Sequence, residues 1–294
     1  MTTTALDAYR ARLRRVLEHI EQDLEADLSV ERLSAVAAFS KFHFHRQFSE
    51  LFGLSVGRYV QLLRLKRASY QLVFRPELRV IEVALASGYD SHEAFSRAFK
   101  KAFGQTPSEF REQPAWHPWL ETYQPMSELR SSHMTNDHDP EDVRIIDFAP
   151  LRVAVLEHRG DPRRLFETIR SFVEWRKQNG LRKDRSRTFN ILYDDPFETQ
   201  AARFRFDLCA AIEGEVPDNT LGVYERTIPG GRCATLRHVG SDDTLGESVR
   251  YLYGTWLPAS GEEVRDFPLY LERVRFFPDV PENEAVLDLY LPLR

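Results

Sequence analysis

One fourteen-residue pattern occurs twice in the first third of the chain. Ser-x-x-x-Phe-x-Arg-x-Phe-x-x-x-Phe-Gly runs over residues 40–53 and again over 91–104. Six positions are identical at a constant offset of 51: Ser40/Ser91, Phe44/Phe95, Arg46/Arg97, Phe48/Phe99, Phe52/Phe103 and Gly53/Gly104. Unrelated segments would share roughly one. Each copy predicts a short helix, with a serine cap, an aromatic stripe at i, i+4 and i+8, and a glycine stop. The stripe must face inward, which leaves Arg46 and Arg97 on the opposite face. A chain built this way presents two equivalent polar helix faces, as expected of a protein that reads two places on one duplex.

The overall charge of −5 argues against nucleic acid until it is resolved along the chain. Residues 31–118 carry 13 Lys/Arg against 8 Asp/Glu, whereas 119–294 carry 23 against 31. A basic front and an acidic back indicate two tasks. At 294 residues the chain has room for two cores. Cys209 and Cys233 are its only cysteines. They read as two reduced thiols within strands, with a disulfide between them left open. No signal-peptide core or membrane-length apolar run is evident, so a soluble, cytoplasmic protein without membrane contact is expected.

Helical periodicity continues to about residue 113. Helices are expected near 6–20, 30–38, 41–52, 56–74 and 81–87, then from the capping-box-like Asp90-x-x-Glu93 to Gly104, and again from Thr106-Pro107-Ser108-Glu109. Residues 114–142, with several prolines and the run SSHMTNDHDPED, read as a linker. Beyond it strands are expected at 144–158, 188–193, 203–212, 224–238, 269–277 and 285–291, with helices at 163–178 and 243–256. A second repeat, at offset 80, matches Arg152, Ala154, Leu156, His158 and Gly160 to Arg232, Ala234, Leu236, His238 and Gly240, and continues through Leu165/Leu245, Glu167/Glu247 and Arg170/Arg250. The expected architecture is α + β in two domains. An all-α domain (1–113) precedes an α+β domain (143–294) made of two strand-helix-strand-strand repeats, with a groove at their seam suited to a ligand.

A recognition helix needs an apolar docking face and a polar face with forked or short donors. The residues facing away from the phenylalanines supply one. In the first copy these are Lys41, Phe42, His45 and Arg46 after Ser40; in the second, His92, Glu93, Arg97 and Lys100 after Ser91. The arginines suit guanine, whereas Lys41, Arg58, Lys66, Lys100 and Lys101 suit phosphates. The phenylalanines read as core, not as a base-stacking platform. FSKFHFHRQFSELFGLSVGRYVQLLRLKRASYQL and IEVALASGYDSHEAFSRAFKKAFGQTPSEFR resemble the AraC-type DNA-binding domain over about residues 8–113. That resemblance makes the first domain a double helix-turn-helix domain, two such units joined by a long helix, with both recognition helices in successive major grooves. It assigns base reading to Phe42, His45 and Arg46, and to His92, Glu93 and Arg97. Better-known relatives place a neutral amide where Glu93 stands.

The back half resembles the GyrI-like effector-binding domain over about 143–294, through ILYDDP (191–196), TWLPASG (255–261), and Glu272…Pro278 ahead of DLYLPL. The order of reader then sensor resembles Rob-type regulators. Strand alternation places Glu272 on the face of Tyr270 and Val274. A carboxylate among aromatics needs a cationic partner. Either a neighbouring Arg273 or Arg275 supplies it, or a cationic, amphipathic ligand does, with Tyr193 and Trp256 as walls. The family places a tyrosine two residues after the glutamate, where this chain has Val274. The expected partners are double-stranded promoter DNA, a small-molecule effector and RNA polymerase, with no cofactor. No metal site is expected, since His158 and His238 lack ligand-spaced neighbours. The chain is expected not to be an enzyme. The alternative is a small-molecule hydrolase fused to a DNA-binding module, with Glu272 as general base and Tyr193 as acid.

Overall fold

A computed structural model describes residues 5–134, 138–195 and 199–294, with side chains from residue 8. Pro196 of the ILYDDP segment, the Leu6 side chain and residues 135–137 of the expected linker lie outside the described residues. The chain divides into two compact units: Met1–Thr135 with Phe277–Asn283, and Asn136–Phe276 with Glu284–Arg294.

The first unit is helical. Its elements are α1 (Ala5–Gln22), α2 (Val30–Val36), α3 (Lys41–Phe52), α4 (Val56–Phe74), α5 (Val80–Ala86), α6 (His92–Phe103), α7 (Pro107–Glu112) and α8 (Trp116–His133). The repeated motif forms α3 and α6. Gly53 and Gly104 take left-handed φ angles of 70° and 75° at their C-caps, a conformation that strains other residues. Phe44, Phe48 and Phe52, like Phe95, Phe99 and Phe103, are buried. Each such ring contributes roughly 1.5–3 kcal/mol by leaving water. The two caps differ, however. Ser91 accepts a hydrogen bond from the Ala94 N–H, while Ser40 makes no side-chain cap bond. The N-cap of α6 is Ser91, so the expected start at Asp90 is one residue early.

The turn between α2 and α3 contains Ala38 at φ 52°, the only non-glycine residue with positive φ among the described residues. Arg12 of α1 holds this turn, with Nε donating to Ala37 O (2.7 Å) and Nη2 to Ala38 O. The second copy has Gly88, at φ 74°, in the corresponding turn. Left-handed φ costs an L-residue about 1–2 kcal/mol, partly offset in glycine by its freer unfolded chain. Ala38→Gly is therefore expected to stabilise the helical unit by about 0.5–1 kcal/mol. A lower melting temperature in the variant would refute this.

The stretch expected as a linker is instead mostly α8. Pro118 lies in its first turn and Pro125 inside it, and both are tolerated. Trp116, Trp119, Tyr123, Met126, Leu129 and Arg130 are buried by this helix. Trp119 Nε1 donates to Ser69 Oγ of α4 at 2.8 Å. Lys66 of α4 also departs from expectation: it is 4% exposed, not on a phosphate-facing surface. Its Nζ donates to Tyr123 Oη and to Glu282 (2.6 Å), and Glu282 belongs to the unit's second stretch. Arg130 joins the same interior network, donating to Glu282 (2.9 Å), Glu21 (3.0 Å) and Tyr123 Oη (2.9 Å), and Tyr59 Oη donates to Glu21 at 2.6 Å. Two cations and two carboxylates thus neutralise one another out of water.

The second unit is one eight-stranded antiparallel sheet with helices on one face. In chain order it comprises β1 (Arg144–Phe148), β2 (Leu151–Arg159), α9 (Leu165–Gln178), β3 (Thr188–Leu192), β4 (Arg205–Ala211), β5 (Tyr224–Ile228), β6 (Gly231–Val239), α10 (Leu245–Tyr251), a π-helical turn (Leu252–Trp256), α11 (Leu257–Ser260), β7 (Tyr270–Arg275) and β8 (Val286–Pro292). The spatial order is β1-β6-β8-β7-β3-β4-β2-β5. The expected long strands 144–158 and 224–238 each break at a turn, around Pro150 and Gly230. The strands on either side of each turn do not pair with each other. β1 pairs with β6, and β5 with β2, so each repeat lends its first strand to the other.

The offset-80 repeat is structural down to its histidines. His158 Nδ1 lies 2.8 Å from Thr168 Oγ1 and its Nε2 3.1 Å from Asp161 O; His238 Nδ1 lies 2.9 Å from Ser248 Oγ and its Nε2 3.0 Å from Ser241 O. A carbonyl must receive a proton, so Nε2 donates and Nδ1 accepts from the hydroxyl. Burial, which lowers both pKa values, favours this neutral form. Each imidazole fastens a strand end to the following helix. Both cysteines are buried free thiols.

Candidate functional site

Two surfaces bear on function. The first is the pair of helices α3 and α6. Opposite their buried phenylalanines, Lys41, Phe42, His45 and Arg46, and His92, Glu93, Arg97 and Lys100, are all exposed. Phe42 is 80% exposed, the most exposed of the large hydrophobic side chains among the described residues, with Lys41 Nζ 5.4 Å from its ring centroid. Arg46 and Arg97 form no hydrogen bond or ion pair among the described residues, so their forked donors are uncommitted. Glu93 differs. Its carboxylate bonds its own backbone N–H and Ser91, which lowers its pKa, with Arg97 adding a smaller pull. That carboxylate lies in the first turn of α6, where the helix dipole favours a negative charge.

The second surface is the sheet face opposite the helices. Period-two alternation puts Phe189 and Ile191 of β3, Asp207 and Cys209 of β4, Tyr270 and Glu272 of β7, and Asp288 and Tyr290 of β8 on this side. Tyr270 and Tyr290 stack with centroids 5.0 Å apart at 11°, and Phe148 of β1 packs edge-on against both. Tyr270 Oη contacts Cys233 Sγ at 3.4 Å. Burial pushes both phenol pKa values up, so neither is a ready proton donor at neutral pH.

Glu272 stands beside this aromatic wall, its side chain 14% exposed. Arg187, immediately before β3, meets it with a fork, Nε to Oε1 at 2.7 Å and Nη2 to Oε2 at 2.6 Å. Tyr290 Oη donates a longer bond to Oε2 (3.3 Å), and the Arg187 guanidinium lies 4.9 Å from the Phe189 ring centroid. The sequence offered Arg273 or Arg275 as partners. Both are otherwise engaged: Arg273 with Asp242 and Asn190, Arg275 with Glu284.

Residues 141–294 match the family described as a GyrI-like small molecule binding domain. The chain belongs to the GyrI-like family. Residues 33–113 match a helix-turn-helix domain, here of AraC type. The GyrI-like part is 40% identical over 153 residues to the probable transcriptional regulator YgiV of Escherichia coli strain K12, covering 52% of this chain and 96% of that protein. The front part is 36% identical over 106 residues to the right origin-binding protein of the same strain, covering 35% of this chain and 36% of that one. Among solved structures, the EcmrR C-terminal domain aligns at 14% identity with a TM-score of 0.43, covering 52% of this chain and 96% of that one. The chain is thus a DNA-binding regulator of AraC type with a GyrI-like domain.

Within the GyrI-like domain the four residues expected to line a ligand site do not converge. Tyr270 and Glu272 share the aromatic face, and Tyr193 packs against the same cluster. Trp256 does not: it lies on the π-helical turn and joins the core on the helix side, with Leu236, Leu271 and Leu289. Tyr193 is two rungs from Glu272, which pairs instead with Phe189. Its hydroxyl donates to buried Asp207 (3.0 Å) and accepts from Arg226, and the Arg205 guanidinium stacks 3.8 Å over its ring. The internal symmetry accounts for this. Ile191 faces Asp207 as Glu272 faces Asp288, so Tyr193 holds the place that Val274 holds in the second repeat. Reasoning from sequence missed Arg187, Phe189 and Tyr290. Only the last left a signal, since alternation in DLYLPL puts Tyr290 level with the stripe of Tyr270. Among the described residues no group of three or more metal-ligating side chains converges, and no helix is long and apolar enough to cross a membrane.

Proposed function

We propose that this regulator reads an asymmetric promoter site with α3 and α6, and that a cationic, amphipathic molecule on the Glu272 face of its GyrI-like domain changes that activity. Asymmetry follows from the unequal faces: His45 and Arg46 with exposed Phe42 on one helix, His92 and Arg97 with a first-turn Glu93 on the other. The ligand class rests on one observation, a mostly buried carboxylate held by a cation beside stacked tyrosines. That is the arrangement by which proteins take organic cations, with charge on the carboxylate and apolar body on rings. Binding is favoured over hydrolysis because Tyr193, the acid such a reaction would need, is committed to Asp207 and lies two rungs from Glu272.

The test is genomic footprinting of the intact protein with and without a panel of amphipathic cations, repeated with Glu272→Gln. Removing the charge while keeping the shape should weaken cation binding about 10- to 100-fold, the range for a charge-assisted contact. Footprints should persist in the variant but cease to respond. Steady turnover of an electrophile, lost with Glu272→Gln, would instead establish the hydrolase.

A further inference from the structure

The Glu272 site already contains a cation, and it is the protein's own. We infer that Arg187 is a tethered surrogate ligand, a guanidinium that occupies the cation position and must swing out before an external cation can enter. The inference rests on the ligand reading above.

Three observations carry it. The first is chemical: a carboxylate and an aromatic ring converge on the Arg187 head, through the fork to Glu272 and the 4.9 Å approach to Phe189, and the Tyr290 hydroxyl holds the same carboxylate at 3.3 Å. Those groups would receive an organic cation in the same way. The second is the asymmetry of burial. The Glu272 side chain is 14% exposed but that of Arg187 is 51% exposed, so the carboxylate belongs to the interior and the arginine arrives from outside.

The third is that the arm has a fixed root. Arg187 O accepts from Ala211 N (2.9 Å), and Ser186 Oγ donates to Ala211 O (2.7 Å). Ser186 O in turn accepts from Nη2 of the buried Arg176 (3.0 Å). With the backbone held by these bonds, opening amounts to rotation about the side-chain bonds of one half-exposed residue. Such rotations are fast and need no refolding of the sheet.

The consequence is selective. Only the fraction of molecules with Arg187 withdrawn can take a ligand, so the apparent dissociation constant is the intrinsic one divided by that fraction. A neutral apolar molecule gains little at Glu272 and leaves the fork closed. A cation recovers the lost pairing. Arg187 thus sets a threshold affinity and screens for charge.

Isothermal titration calorimetry with the triarylmethane cation crystal violet, on the full-length protein, tests this, with melting temperatures taken in parallel to confirm folding. Arg187→Ala should bind the dye about 5- to 20-fold more tightly than the unmodified chain, corresponding to an open fraction of about 5–20%. Glu272→Gln should bind it far more weakly. Arg237→Ala is the control. It removes an equal charge from the same face, but from the pair with Asp288, 2.7 Å away, and should change affinity less than about threefold. If Arg187→Ala binds equally or more weakly while Glu272→Gln loses binding, the surrogate role is wrong and the ligand site stands. Equal tightening by Arg237→Ala would also overturn it, leaving general electrostatics as the cause. If Glu272→Gln binds normally, or if no form binds the dye, the ligand reading fails and the surrogate with it.

Discussion

Arg46→Ala and Arg97→Ala should each lower affinity for the specific DNA site by about 1–3 kcal/mol, roughly 5- to 150-fold, and relax base preference at one half-site only. Both side chains point away from an anchored aromatic face, on helices that end at αL glycines. Neither is spent on an internal partner. Substituting alanine should therefore leave the fold intact and affect recognition alone. Lys41→Ala and Lys100→Ala provide the contrast. They should weaken specific and non-specific DNA alike and reduce the salt slope by about one each. Selection of bound sequences from a random pool, done for each variant, resolves the two classes. If Arg46→Ala selects the same consensus as the parent chain, Arg46 does not read a base.

Arg130→Met should have the largest effect on stability, about 3–5 kcal/mol, lowering the melting transition of the helical unit by about 10–20 °C. Arg130 is fully buried and donates to two carboxylates, Glu21 and Glu282; once it is gone Lys66 still pairs with Glu282, but buried Glu21 keeps only its bond from Tyr59 Oη and loses its cation. Burial already raises the Glu21 pKa against the pull of Arg130. A carboxyl with a raised folded pKa binds more protons folded than unfolded, so its contribution to stability improves as pH falls and worsens as pH rises past the ordinary carboxylate range. The variant should consequently recover part of its loss between pH 7 and pH 5. Adding Glu21→Gln should also restore part of it at pH 7. A melting temperature unchanged by Arg130→Met would show the network to be energetically idle.

The helical half was legible because its signals are local. Caps, stripe and stop lie within one motif, and α3, α4, α6 and α7 fall where those signals place them. Helix α8 was missed because its prolines read as breakers. The spacing of Trp116, Trp119, Tyr123, Met126 and Arg130 was nonetheless helical, and outweighs a proline in the first turn and one inside. In the sheet, the strands and their faces were legible from alternation, and pairing was not. The partner of Glu272 comes from a residue 85 positions earlier, brought beside it only by the β3–β7 ladder. Local reasoning could offer only Arg273 and Arg275. Trp256 was misplaced for a related reason: strand alternation says nothing about which side of the sheet a helix covers.

The exchange of first strands between the two repeats bears on synthesis. β1 emerges from the ribosome with its partner β6 still about 90 residues away, and β5 closes back onto β2 across a similar gap. Neither repeat can complete its own edge, so the nascent first half is an open sheet awaiting its complement, and formation of the ladder must be late and concerted. The same geometry makes the two halves natural complements when separated. Residues 143–213 and 222–294 co-expressed as independent fragments have interlocking edges to offer each other.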